Sequence, residues 1–398
     1  MKKQQLFTFS VIGISLYLIA AGISFALFSY FGGGLTGLLS SPEGKKDQEH
    51  FNIDPDAPKT AECPINGKMY TEVEKDIWET RRPLAVMIEN HEESRPQSGL
   101  SYADVVYEAV AEGGITRFMG IYYCGIGNPV NFAPVRSSRI YYVNWVLEYD
   151  ALYSHVGGAG NCGDPNVHEG AKALCKIDED GVKDLDQMGL NFMVDTNDGD
   201  RIKVCYRNEN RLDRLVATEH TMVCASDGLY REGELRGWTN EDEKGNSWDE
   251  DFEEWKFKDD KNDVTDGATD ISYVAWSGYE DLFGVRWEYD SAVNGYKRNM
   301  AGESHIDHET QEQIVSNNVV VLFAKETAAN DAEKHLLYDN IGEGDSLIFQ
   351  DGIVIEGTWE KPKDSSRTIF YDSQGDEIEF TRGQVWISML DIGTDVTY

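Results

Sequence analysis

Short apolar runs separated by turn residues fill most of the chain. Their lengths and periods predict strands near 83–90, 103–112, 115–124 and 150–157, and helices near 138–149, 165–176 and 226–237. Beyond Asp266 the runs become shorter and alternate more strictly, as in "ISYVAW", "GVRWEYD", "NNVVVLFA", "SLIFQ", "IVIEGTW" and "QVWISML". Turn signals such as Asp351-Gly352 and Gly375 stand between them. The pattern predicts an α+β fold: a layered sheet-and-helix N-terminal domain followed by a mainly β C-terminal domain.

One run breaks this pattern. Lys2 and Lys3 precede an uncharged stretch from Leu6 to Phe31, and a helix rising about 1.5 Å per residue over that length spans the roughly 30 Å of bilayer hydrocarbon. The lysines hold the amino terminus inside, so everything after Phe31 lies outside the cell membrane. A cleaved signal peptide is the competing reading, but its apolar region is usually about 7 to 15 residues. The predicted order is a cytoplasmic tip (1–5), a transmembrane anchor (6–31), a Gly-, Ser- and Pro-rich flexible stalk (32–62), a first domain (63–239), an acidic linker (240–268) and a second domain (269–398).

Charge and cysteines narrow the partners. The 398 residues carry 71 acidic and 36 basic side chains, a formal charge of −35. A field of that sign repels nucleic acid, which binds through Lys and Arg displacing counterions. The six cysteines, Cys63, Cys124, Cys162, Cys175, Cys205 and Cys224, follow the anchor, and an exported chain with an even count permits three disulfides. Short loops favour Cys162 with Cys175 and Cys205 with Cys224, leaving Cys63 with Cys124, although other pairings fit the sequence as well. No CxxC, GxSxG or GxxxxGK[ST] occurs, and no cofactor is expected. "GAGNCG" (158–163) has the GxGxxG spacing, but Cys162 and Asp164-Pro165 argue against a nucleotide loop. "SHIDH" (304–308) reads as a solvated loop.

The chemistry gathers around "ADVVYEAVAEGGITRFMGIYYC". Gly113-Gly114 between alternating runs predicts a two-residue hairpin, with Glu112 opposite Ile115, Val110 opposite Arg117 and Glu108 opposite Met119. In that register Asp104, Glu108, Glu112 and Arg117 share one face. Such a cluster either orders a sheet or floors a polar pocket. Glu108 and Glu112, four strand residues and so roughly 13 Å apart, are too distant for glycosidase chemistry on their own. "PVRSSR" then places Arg136, Ser137, Ser138 and Arg139 at a predicted helix start, where a serine N-cap and two guanidiniums suit a carboxylate or phosphate. His155 ends "ALYSHV" as a core histidine or a rim donor. In "RPQSGL" (95–100), Pro96 and Gly99 explain a turn, while Arg95, Gln97 and Ser98 are left to line the same hollow.

The motifs "RPLAVMIENHEESRPQSGLSYADVVYEAVAEGGITRF", "PVRSSR" and "HVGG", with "VRWEYDSAVNGYKRNMAGESHIDHET" and "DGIVIEGTWEKP" later, resemble the YerB-like family of exported bacterial envelope proteins. The resemblance covers about residues 82–390 and implies an α+β first domain and a β-rich second one outside the membrane. It marks Asn90, Arg95, Gln97, Ser98, Asp104, Glu108, Glu112, Arg117, Arg136, Arg139, His155 and His220, but supplies no reaction. Here an apparent spanning helix replaces the family's lipid-attachment cysteine. The expected function is binding of an anionic envelope ligand, such as a wall glycan carboxylate or peptide terminus, by Arg95, Arg117, Arg136 and Arg139. The alternatives are a hydrolase or transferase using Glu108, Glu112 and His155, and a scaffold binding proteins through the second domain.

Overall fold

Valine, isoleucine and aromatic residues dominate the predicted strands, and in the computed structural model most of these strands join one long sheet. The structure describes residues 53–187, 192–195, 201–242, 244–259 and 267–398. The cytoplasmic tip, the anchor run 6–31 and most of the stalk lie outside the described residues. Among the described residues no helix is long and apolar enough to cross a membrane.

The N-terminal half supplies β1 (Leu84–Glu89), β2 (Val105–Glu112), β3 (Ile115–Tyr122), β4 (Leu152–His155) and β5 (Lys183–Asp186). The C-terminal half supplies β6 (Asp270–Tyr273), β7 (Val285–Asp290), β8 (Gly295–Met300), β9 (Asn318–Phe323), β10 (Gly342–Gln350), β11 (Ile353–Lys361), β12 (Ile369–Asp372) and β13 (Val385–Leu390). Ten of these join in the order β12-β11-β10-β9-β13-β2-β3-β1-β4-β5. The halves meet where β13 runs parallel to β2, with Val385 opposite Val105 and Ser388 opposite Glu108. The described residues accordingly fall in one compact unit. Sheet predominates over a few short helices, an α+β fold.

Strands β1, β2, β3 and β13 are buried on both faces, which explains their nearly unbroken apolar sequences. Alternate residues feed two cores. Ala85, Met87, Tyr107, Met119 and Ile387 pack with Tyr141, Tyr142 and Trp145 of helix α1 (Ile140–Val146). Leu84, Val86, Val106, Phe118 and Trp386 pack against Ile271 and Trp287 of β6 and β7 and against Met222. The layers are therefore helix, central sheet and a second tier of sheet.

Two helices lie near their predicted places, α1 and α3 (Ser226–Leu235), while α2 (Ala173–Glu179) starts later than 165. Asp164 accepts the Asn166 amide in a turn and His168 caps a 3-10 turn at Glu169–Ala171, so helix begins only beyond Lys172. The acidic segment 240–268 is largely exposed where described, but two tryptophans and a short strand anchor it. Trp248 and Trp255 are buried and donate to the Tyr123 hydroxyl and the Thr368 carbonyl, and Lys256–Lys258 pairs in parallel with Glu379–Thr381.

The three disulfides are Cys63–Cys124, Cys162–Cys175 and Cys205–Cys224. Two of them close the short loops favoured above, and the first joins the pair left over.

Candidate functional site

The β2–β3 hairpin turns at Gly113-Gly114, both at positive φ, and Glu112 faces Ile115 as expected. Past that pair the register differs. Val110 faces Thr116, Ala109 faces Arg117 and Glu108 faces Phe118, because a bulge leaves Ala111 unpaired. One extra residue turns the strand over. Glu108 therefore projects to the face of Phe118 and Trp386, and Glu112 to the face of Arg117. The expected shared face for Asp104, Glu108, Glu112 and Arg117 does not form, and two carboxylates on opposite faces cannot act on one bond.

Glu108 is buried and saturated. Arg298 donates to both of its oxygens at 3.0 and 2.8 Å, Trp386 Nε1 at 3.0 Å, and Thr116 Oγ1 at 3.1 Å. The Arg298 guanidinium lies 4.7 Å from the Trp386 ring. It also donates to His305 Nδ1 at 2.7 Å. Arginine can only donate, so His305 carries its proton on Nε2 and donates it in a hydrogen bond to Gln97 Oε1 at 2.8 Å. Burial, then the charges of Arg298 and Arg95, hold the His305 pKa well below the usual imidazole value. Gln97 Nε2 in turn donates to the Glu89 carbonyl and to Asn90 Oδ1.

"RPQSGL" is thus the N-terminal half of a clasp. Asp307 accepts the amides of Gly99 and Ser101 at 3.1 and 2.7 Å, and His308 donates its amide to the Gln97 carbonyl at 2.7 Å. "SHIDH" is not a solvated loop: His305 and Asp307 are buried because they hold this turn. Arg95 donates to Asn90 and lies 4.9 Å from the Phe283 ring, and burial followed by the charge of Arg298 lowers its pKa to about 10. Ser98 is buried, with its backbone bridged to Ala133. Sequence reasoning missed Arg298, although Tyr296, Arg298 and Met300 alternate inward along β8 and an arginine in that rhythm requires a buried acid.

On the other face Glu112 takes Arg117 on one oxygen and Arg139 on the other, at 2.5 Å for Arg139 Nη2. Burial pushes the Glu112 carboxyl up, but the two guanidiniums outweigh it and hold its pKa below the usual value. Arg117 and Arg139 spend further donors on the Ser137 and Ser138 carbonyls at 2.9 and 2.7 Å. The expected serine N-cap is not made. Arg139 occupies the N-cap of α1 without a side-chain bond, and the Ser138 hydroxyl instead accepts from Tyr153 at 2.8 Å. Arg136 pairs with Glu89 at 3.1 Å. His155 is fully buried rather than on a rim, with Nδ1 against the Gly157 carbonyl at 2.8 Å and Nε2 against Asp184 at 2.9 Å.

The arginines thus divide into three groups, Arg95 with the clasp, Arg117 and Arg139 on Glu112, and Arg136 on Glu89, each engaged by internal acceptors. Neither described cavity is lined by any of them. The larger, about 790 Å³, opens between the Ser272–Ser277 segment and the Asp391–Asp395 turn. Its lining includes Glu280, Glu326, Asp391, Asp395 and Trp276, with no lysine or arginine. Asp391 is fixed by accepting the Glu326 amide at 2.8 Å, and Glu326 accepts from the Tyr338 hydroxyl. Burial raises the Glu326 pKa, and Asp391 adds to the rise. Trp276 lies against Gly114 at the hairpin tip, where a Cβ would come within 3.1 Å of its ring.

Residues 70–221 match the family described as "Protein of unknown function (DUF3048) N-terminal domain", and residues 273–387 match the corresponding C-terminal domain. The chain is 28% identical over 338 residues to "Putative lipoprotein YerB" of Bacillus subtilis (strain 168), covering 84% of this chain and 88% of that protein. A crystal structure of the Bacillus subtilis YerB protein shares the fold, with a TM-score of 0.63 and 24% identity over 85% of this chain and all of that one. With both domains matched in order and the shared fold spanning their junction, the chain belongs to the YerB-like family.

Proposed function

We propose that this protein is an exported, membrane-attached binding module that holds a cationic group of an envelope component in the acid-lined cleft. Attachment is supported by the uncharged run 6–31 and by the lipoprotein name of the Bacillus subtilis relative, and export by three disulfides. The observation that carries the ligand class is the composition of the cleft: four carboxylates and an aromatic face, without a basic residue. An ammonium or guanidinium there gains from the carboxylates and from the ring face of Trp276. An anion would meet only like charge, and the arginines that suit it are already occupied.

The test is calorimetric titration of the full chain with a soluble wall peptide bearing a free amine, beside its N-acetylated form. Binding of the amine form alone is expected, weakened at least about 10-fold in a Glu280→Gln, Asp395→Asn double variant, whose side chains are exposed. Equal binding of both peptides, or no loss in the double variant, removes this reading.

A further inference from the structure

Beside the clasp, on the turn that leads into "RPQSGL", three side chains with metal-binding atoms meet. His91 N-caps the 3-10 turn Glu92–Ser94, Glu93 lies within it, and His220 ends the 3-10 turn Thr218–His220. One ligand atom from each of His91, Glu93 and His220 lies within 4.8 Å of the others. The imidazoles stack, with centroids 4.8 Å apart and planes at 19°.

The protonation pattern points to a cation. His220 Nδ1 faces Glu89 Oε2 at 2.7 Å. An ionised carboxylate only accepts, so Nδ1 carries a proton, and in the neutral ring the Nε2 lone pair is directed outward. That lone pair faces Glu93 Oε2 at 3.6 Å, too far for a hydrogen bond and close enough for one ion to contact both. Glu89 is itself held by Arg136 at 3.1 Å. A histidine whose far nitrogen donates to a carboxylate is the arrangement that fixes the tautomer and raises the basicity of metal-bound imidazoles.

The turn carrying the other two ligands is braced from behind. Arg211 donates to the Ser94 and Pro96 carbonyls at 2.6 Å each, and Arg214 donates to the Glu93 and Arg95 carbonyls at 3.1 and 2.6 Å. The backbone is therefore fixed while the Glu93 side chain, 56% exposed, is free to swing. His91 gives up only its 3.2 Å contact with the Glu93 amide when it ligates. Zinc bonds of about 2.0–2.2 Å in a tetrahedral set place ligand atoms roughly 3.4 Å apart, so a contraction of at most about 1.4 Å suffices.

We propose that His91, Glu93 and His220 bind a divalent transition-metal ion of the zinc class, with Glu89 as the residue that positions His220. Two imidazoles and one carboxylate select such ions over magnesium or calcium. Three protein ligands leave a fourth coordination position facing solvent. The competing arrangement is His220 as an imidazolium ion-paired with Glu93, which binds no metal.

The experiment uses the full chain in detergent, stripped with chelator and titrated with Co²⁺, followed by displacement with Zn²⁺. The expected result is saturation at one equivalent with the visible bands of a tetrahedral N,O site, and their loss on adding Zn²⁺ but not Mg²⁺. His91→Ala and His220→Ala each lower affinity at least about 10-fold, and Glu89→Gln lowers it by about 10- to 100-fold without changing the Co²⁺ band positions. Thermal melts of each variant separate loss of ligation from loss of fold. His91→Ala and Glu93→Gln, being at the surface, keep the test valid if His220→Ala unfolds. Absence of saturable binding, or wild-type affinity in both His91→Ala and Glu93→Gln, overturns the assignment.

Discussion

Asp104 stands immediately before β2, fully buried, and accepts the Tyr123 and Cys124 amides at 2.7 and 3.0 Å and the Asn66 side chain at 2.7 Å. Burial outweighs these bonds and raises its pKa from 3.8 to about 6. The folded chain therefore holds this proton more tightly than the unfolded chain does. Its contribution to stability is complete below about pH 4 and is lost as pH rises through about 6, by roughly 3 kcal/mol at most. Urea melts at closely spaced pH values should show this decline, and Asp104→Asn should flatten it; a slope unchanged in the variant would assign the proton elsewhere. The sequence made Asp104 visible as an acid beside apolar strands, and short spacing favoured two of the three cysteine pairs, with separations of 13 and 19, leaving the third as the remainder. His305 and Asp307 were not. A polar run with two turn formers looks solvated unless its partners are known, and here Gln97, Gly99 and Ser101 lie some 200 residues away, with separations of 208, 208 and 206.

At the scale of elements, periodicity located β1 to β4, α1 and α3, because buried strands and helices leave apolar runs bounded by turn residues. Periodicity does not report a bulge. "EAVAEGGIT" fits a regular hairpin, yet omitting Ala111 from the ladder sends Glu112 to Arg117 and Arg139 and Glu108 to Arg298. The bulge sorts two acids to two sides of one sheet. Glu112→Gln would remove the charge held between Arg117 and Arg139, leaving two largely buried cations uncompensated. We expect a loss of about 3–5 kcal/mol in equilibrium unfolding. A loss below about 1 kcal/mol would mean that the hairpin tip readjusts and the sorting is not needed for the fold.

For the whole molecule, the family descriptions divide the chain into two parts, while the sheet runs through both. Along β13 and β2 the parts share a ladder. Arg298, Trp386 and Ser388 of the second part satisfy Glu108 of the first, while Glu148 of the first receives Lys361 at 2.8 Å and Arg367 at 3.1 Å from the second. A buried acid without these partners is strongly unfavourable. Residues 53–259 produced alone should therefore show no cooperative urea transition, and mixing with residues 267–398 under oxidising conditions should restore one. A cooperative transition for 53–259 by itself would show that the shared ladder is dispensable.

The strand that flanks β2 lies far along the sequence, with Ser388 280 positions after Glu108. While the chain is being made, the edge of β2 stays open until β13 has emerged. Contacts of such long separation form slowly, and an unpaired strand edge invites pairing with other chains. A truncation before Val385 would leave that edge unclosed at the centre of the sheet.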